Sequence, residues 1–139
     1  MSVVLIVEDD ADLLAAISDG LVDEGWTVLG AGSVGEALEL TRTRQVDVVL
    51  SDLRLADGDG QEIFRACQAG AGGQPVVFMT GLPLPERDLD GSTVLTKPFD
   101  LAQAAIALRR VLSQHRRDLR TKVSADPCSR GDSRAARGA

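Results

Sequence analysis

Three acids, a hydroxyl and an amine in this chain stand at comparable places, each at or just past the end of a short apolar run. Glu8 and Asp9 follow "VVLIV", Asp52 follows "VDVVLS", Thr80 and Gly81 close "PVVFMT", and Lys97, with Pro98 behind it, closes "STVLT". Carboxylates gathered in one place repel one another and raise a pKa unless a cation joins them. Mg2+ suits such a set, because it takes few carboxylates and keeps room for water and phosphate oxygens. If Asp52 attacks a phosphorus, the acyl phosphate formed adds about two negative charges, which Mg2+ and Lys97 can balance. Thr80 can donate a hydrogen bond to a phosphoryl oxygen, and Lys97 can reach it as a point charge on a flexible stem. Pro98 keeps Lys97 out of the helical region, so its run stays extended to the end.

These residues can meet only if the fold brings the run ends together. The runs "VVLIV", "WTVLGA", "VDVVLS", "PVVFMT" and "STVLT" are rich in Val, Leu and Thr, and helical patterns separate them. Leu13, Leu14, Ile17, Leu21 and Val22 form one stripe, which Gly25 closes as a helix stop; Leu101, Ala104, Ala105, Leu108, Val111 and Leu112 form another. Apolar strands alternating with amphipathic helices predict an α/β fold, a parallel sheet covered on both faces. Five strands fit a doubly wound sheet of flavodoxin-like order 2-1-3-4-5. Between Gly81 and Gly91, "GLPLPERDLDG" holds two prolines and no stripe, so the fourth helix is expected to be short or disordered.

Composition narrows the class. A chain of 139 residues, 44% apolar and 26% charged, predicts one globular domain. No apolar run approaches the ~18 to 20 residues that span a bilayer. "SVVLIV" is too short and too soon followed by acids for a signal peptide. A cytoplasmic address without membrane contact is expected. Cys67 and Cys128 lack metal-like spacing and read as two reduced thiols. Residues 1–113 carry 18 acids and 8 bases, whereas residues 114–139 carry 3 acids and 7 bases. The second part has few large apolar residues, so residues 1–116 read as the domain and 117–139 as a basic, disordered tail. Such a tail gives at most weak, salt-sensitive contact with nucleic acid, which is not an expected partner.

One motif points elsewhere. Gly30, Gly32 and Gly35 spell G-x-G-x-x-G, and Asp52 lies twenty residues past Gly32, as in a dinucleotide-binding unit. In an open parallel sheet, however, ligands meet the loop after the first strand. That loop reads "EDDAD" and repels phosphate; each like-charge pair at ~4 Å costs about 4 kcal/mol at an effective dielectric near 20. Ser33 with Glu36 makes a capping box, which explains the glycine string as a helix start. In "ADGDG", Asp57 and Asp59 read as turn residues, with Gly58 and Gly60 supplying positive φ. Asp9 or Asp10 can cap the first helix instead of holding a metal.

The ordered set "LIVEDD", "VVLSDLRLADGDG", "VVFMTG" and "VLTKPF" resembles the receiver domain of two-component response regulators, from Val3 to about Arg116. The resemblance implies Asp52 as phosphoacceptor, with Glu8, Asp9, Asp52 and the backbone carbonyl of Arg54 as Mg2+ ligands. It implies Thr80 and Lys97 as the switch hydroxyl and the phosphate-sensing lysine, with Gly81 beside Thr80. A sensor histidine kinase or phosphotransfer protein would supply the phosphate, and the output partner is unspecified. Three departures stand out. Val94 takes the place of a Tyr or Phe whose rotation reports phosphorylation in many receivers. Thr80 and Lys97 are only seventeen residues apart. Ala56 replaces a common proline, and Arg54 stands two residues past Asp52.

With about 26 residues after Ser113, the reading is a stand-alone receiver that signals by protein contact. A receiver-fold docking module that never takes phosphate is one rival. An aspartate-nucleophile phosphatase of haloacid dehalogenase type is another, but it carries D-x-D on an early strand, and here Arg54 stands where its second Asp would be.

Overall fold

The computed structural model describes residues 2–69, 73–81 and 93–125, with side chains through Arg120. Seven strands and four helices are found among them: β1 (Val3–Val7), α1 (Ala11–Asp23), β2 (Thr27–Ala31), α2 (Val34–Thr43), β3 (Val48–Asp52), β4 (Arg54–Leu55), β5 (Gly58–Asp59), α3 (Gly60–Ala69), β6 (Val76–Thr80), β7 (Thr93–Thr96) and α4 (Leu101–Ala125). Five strands form one sheet, in the order β2-β1-β3-β6-β7, with parallel pairing at every junction. Counting only these strands, the order is the 2-1-3-4-5 that the alternating pattern predicts. β4 and β5 make a separate antiparallel hairpin directly after β3.

The side-chain alternation of the central strands divides the core in two. Val4 and Ile6 of β1, Val48 and Leu50 of β3, and Val77 and Met79 of β6 face α1 and α4, packed with Ile17, Leu21, Leu108 and Leu112. Leu5 and Val7, Val49, and Val76 and Phe78 face the other way, onto Val34 and Ala37 of α2 and Ile63 and Cys67 of α3. A strand buried on both sides has no polar face to show, which is why these runs read as unbroken apolar sequence. Burial pushes the Cys67 thiol up to about 11, so it stays protonated and packs as a small hydrophobe. Among the described residues no helix is long and apolar enough to cross a membrane.

Local chemistry sets the helix ends. Asp10 caps α1 by accepting from the backbone N–H of Asp12 at 3.0 Å and of Leu13 at 3.2 Å. At the other end Gly25 adopts φ +98°, its N–H bonds to Val22 O at 3.0 Å, and that of Trp26 reaches Leu21 O at 3.0 Å. This is a Schellman closure, and it folds Trp26 back onto Leu21 in the core. Gly58 and Gly60 correct the turn reading. Neither is among the glycines with positive φ, which are Gly25 and Gly73 in the described residues. Close approach explains Gly60 instead, since a Cβ there would lie 2.4 Å from the backbone oxygen of Asp52.

The last helix is a second correction. Its apolar stripe predicts an end near Arg116 and an unstructured tail from residue 117, yet α4 continues to Ala125. A helix already nucleated by packing elongates without the cost of a new nucleus. The added turns are rich in good helix formers and carry local pairs, Gln114 to Asp118 at 2.9 Å and Arg117 to Gln114 at 2.7 Å. The expectations for the fourth helix and for residues 126–139 fall on residues outside the described ones.

The glycine string runs from the end of β2 into the start of α2. Ser33 accepts from the N–H of Glu36 at 3.1 Å, and Glu36 reaches back to the N–H of Gly32 at 2.7 Å. Asp57 joins them from the β4–β5 turn and accepts from the N–H of Val34 at 2.9 Å and Gly35 at 3.2 Å. Those two bonds hold the Asp57 carboxyl below its ordinary 3.8. A depressed carboxyl adds stability above its unfolded pKa and loses it as pH falls through the folded one. Asp57→Asn should therefore melt below the wild type at neutral pH, with the gap closing on acidification below 3.8. Thermal unfolding of both proteins from pH 7 downward measures it.

Candidate functional site

Parallel pairing carries every strand's carboxyl end to one edge of the sheet, and the polar residues sit there. Glu8 and Asp9 follow β1, Asp52 ends β3, Thr80 ends β6, and Lys97 follows β7. Backbone bonds continue the ladder past the strands: Glu8 N–H to Ala31 O at 3.0 Å, Leu53 N–H to Met79 O at 2.9 Å, and Lys97 N–H to Thr80 O at 2.7 Å. The loops are therefore held at the same register as the sheet.

One oxygen from each of Glu8, Asp9 and Asp52 lies within 4.8 Å of the others. Lys97 Nζ lies 2.9 Å from Glu8 Oε2 and 3.2 Å from Asp52 Oδ2. Glu8 is only 2% exposed, and its second oxygen accepts from the N–H of Asp10 at 3.2 Å. Burial raises the Glu8 pKa, against the hydrogen bond from Lys97, and the charge of Asp52 raises it further. Burial lowers the basicity of Lys97, but the bond to Glu8 and the charge of Asp52 outweigh it, leaving the amine more basic than usual. The cluster thus holds three carboxylates against one ammonium. Among the described residues Asp9 is exposed and makes no ion pair. A net deficit of positive charge beside oxygen donors at this spacing fits a hard divalent cation.

The remaining sequence-picked residues surround this centre. Asp10 is spent on the α1 cap, which leaves Asp9 to the cluster. Thr80 is buried at 5% exposure, and Gly81 beyond it is exposed, with the Cβ of Lys97 4.0 Å from where its own would stand. Arg54 opens β4 with its side chain exposed. Val94 is half-buried in β7, paired with Phe78 and packed on the α2–α3 face of the core. Pro98 follows Lys97 through a cis peptide bond. Cys128 lies outside the described residues.

Two features escape sequence reasoning. Ser51 donates to the backbone oxygen of Asp52 at 2.9 Å. Asp57 reaches α2 across 23 residues of chain, a partnership that no local pattern announces.

Residues 4–109 match the family model of the response regulator receiver domain. The chain belongs to this family. Among curated relatives of this receiver are the probable transcriptional regulatory protein TcrX of Mycobacterium tuberculosis, 31% identical over 78% of this chain and 49% of that protein, and the KDP operon regulatory protein KdpE of Escherichia coli, 29% identical over 83% and 53%. The receiver chain thus spans about half the length of these two regulators. Among solved structures, the non-phosphorylated HemR receiver domain of Leptospira biflexa is 30% identical with a TM-score of 0.72, covering 81% of this chain and 95% of that one. The chemotaxis regulator CheY4 of Vibrio cholerae is 27% identical with a TM-score of 0.71, covering 80% and 98%.

Gly60 is a backbone position packed directly against Asp52. Besides the oxygen of Asp52, a Cβ there would meet Phe78 and Ser51 Oγ, each at 3.1 Å. Gly60→Ala should cost about 1–3 kcal/mol in urea unfolding. Because the contact is with Asp52 itself, the expectation that Asp52 is the phosphoacceptor predicts that phosphorylation falls more than the folded fraction does, as phosphate uptake per folded molecule would reveal.

Proposed function

We propose that the protein is a phosphoacceptor switch: Asp52 takes a phosphoryl group from a phosphohistidine on a sensor histidine kinase or phosphotransfer protein, and the changed surface signals through protein contact. The observation that carries this reading is the meeting of Glu8, Asp9 and Asp52 within 4.8 Å, with Lys97 bonded to two of them. In this reading Glu8, Asp9, Asp52 and the backbone carbonyl of Arg54 hold Mg2+. When bound, Mg2+ supplies the positive charge that lets an anionic phosphoryl group approach an acidic pocket.

The protein's own groups do the rest. An oxygen of Asp52 forms the new P–O bond as the donor's P–N bond breaks, and the imidazole leaves with the electron pair. Lys97 lies within a hydrogen bond of the attacking carboxylate, so its ammonium can follow the charge that grows on the phosphoryl oxygens. Thr80 and Gly81 stand on the neighbouring strand end, where a hydroxyl and a backbone N–H can receive those oxygens. The chain is a carrier of the phosphoryl group rather than an enzyme with turnover. We place it in the cytoplasm on its sequence composition, with neither membrane nor nucleic acid among its proposed partners.

Incubation with acetyl phosphate and Mg2+ should label the protein once per chain, and Asp52→Ala or chelation should abolish the label. Lys97→Ala should still bind Mg2+ but lose about tenfold or more in phosphorylation rate, in line with loss of one charge-stabilising donor. Label surviving in Asp52→Ala sinks the acceptor assignment.

A further inference from the structure

The β4–β5 hairpin leaves the acceptor strand at Asp52 and returns to α3, and its turn carries a carboxylate for which the phosphoacceptor reading has no use. Asp57 spends both oxygens on α2, accepting from Val34 N–H at 2.9 Å and Gly35 N–H at 3.2 Å. We propose that Asp57 is a positioning residue of the metal site, a latch that fixes the hairpin carrying the Arg54 carbonyl against the loops that carry the acids. The proposal rests on the metal-site reading of Glu8, Asp9, Asp52 and Arg54.

Three observations support a latch over an ordinary helix cap. First, α2 already has a local cap in Ser33, which accepts from Glu36 N–H at 3.1 Å. A second cap from 23 residues away ties two distant segments together, which helix formation alone does not need. Second, the hairpin is too short to hold its own place. Its strands have two residues each, and isolated hairpins are marginal even when longer. What holds it is docking. Leu55 is buried in the cluster that contains Val34, and Gly58 comes so near that a Cβ would lie 3.2 Å from Val34 Cγ2. Third, the latch completes a path of bonds linking the loop after β1, α2, the hairpin and Asp52. Glu8 N–H bonds to Ala31 O at 3.0 Å, the chain then enters α2, Asp57 joins α2 to the hairpin, and Gly60 N–H bonds to Leu53 O at 2.9 Å beside Asp52. Cutting that path at Asp57 leaves the hairpin to its packing on Val34 alone, with Glu8, Asp9 and Asp52 still on the sheet.

The test compares three variants of the full chain by calorimetric titration with Mg2+ and by thermal unfolding without it. Asp57→Ala should weaken Mg2+ binding about three- to tenfold, at or below the lower end of outer-sphere effects on metal affinity. Asp57→Asn should weaken it less, because its amide oxygen still accepts one N–H. Ser33→Ala, which removes a cap from the same helix end without touching the hairpin, should lower the melting temperature and leave Mg2+ affinity unchanged. Phosphorylation of Asp57→Ala by acetyl phosphate should return to the wild-type rate at saturating Mg2+, a shift in metal requirement rather than in the chemical step. Wild-type Mg2+ affinity in folded Asp57→Ala overturns the proposal, as does an equal loss in Ser33→Ala. If Asp57→Ala does not fold, Asp57→Asn against Ser33→Ala gives the same decision. Failure of the wild type to bind Mg2+, or undiminished binding by Asp52→Ala, overturns the metal-site reading itself and the latch with it.

Discussion

The ammonium of Lys97 lies 2.9 Å from Glu8 and 3.2 Å from Asp52, between two carboxylates that the sheet forces together. The register leaves no alternative. Val7 pairs with Ser51, so the residues just beyond them, Glu8 and Asp52, must emerge side by side. Two such charges at ~4 Å oppose each other by about 4 kcal/mol at an effective dielectric near 20. Glu8 is almost wholly removed from water, so its charge is also poorly hydrated. The amine relieves both penalties at once. It reaches the pair from β7, 89 residues after Glu8, so the acidic edge depends on the outer strand being correctly paired.

That dependence ties fold to function. β7 joins the sheet through β6 alone, and its register, Thr80 opposite Thr96, fixes where the next residue, Lys97, begins. The core supports this placement from both sides. Leu95 packs toward α1 and α4, while Val94 packs toward α2 and α3. Val94 fills its place with a short, branched side chain, so a large ring rotation at that position is not available to this protein.

Much of this was legible in the sequence because the signals were periodic or sat at element ends. Continuous apolar runs identified buried parallel strands, and the acids, hydroxyl and amine just past them identified the edge. Gly25 was legible as a stop, since a helix that ends in a Schellman closure needs a residue at ease with positive φ. The same logic misread Gly58 and Gly60. A glycine needed for space looks the same in sequence as one needed for φ, and only the oxygen of Asp52 beside Gly60 tells them apart. The end of α4 was hidden for a different reason: a helix elongating from a packed segment needs no apolar face, so its stripe stops before it does. Asp57 was hidden because its partners are 22 and 23 residues away in the chain.

The G-x-G-x-x-G string shows how one chemistry can be present and already spent. The start of α2 offers unpaired N–H groups and the positive end of a helix dipole, the elements from which phosphate sites are built. Here that capacity is filled from within. Ser33 takes the N–H of Glu36, Glu36 takes that of Gly32, and Asp57 takes those of Val34 and Gly35. An external phosphate would have to displace a carboxylate held by two charge-assisted bonds and then face the acids beyond β1. The acidic cluster has the opposite character: among the described residues three carboxylates meet one amine, a set that suits a dication. The same edge of the sheet therefore fills the start of α2 with its own aspartate and gathers an unbalanced set of acids beside it.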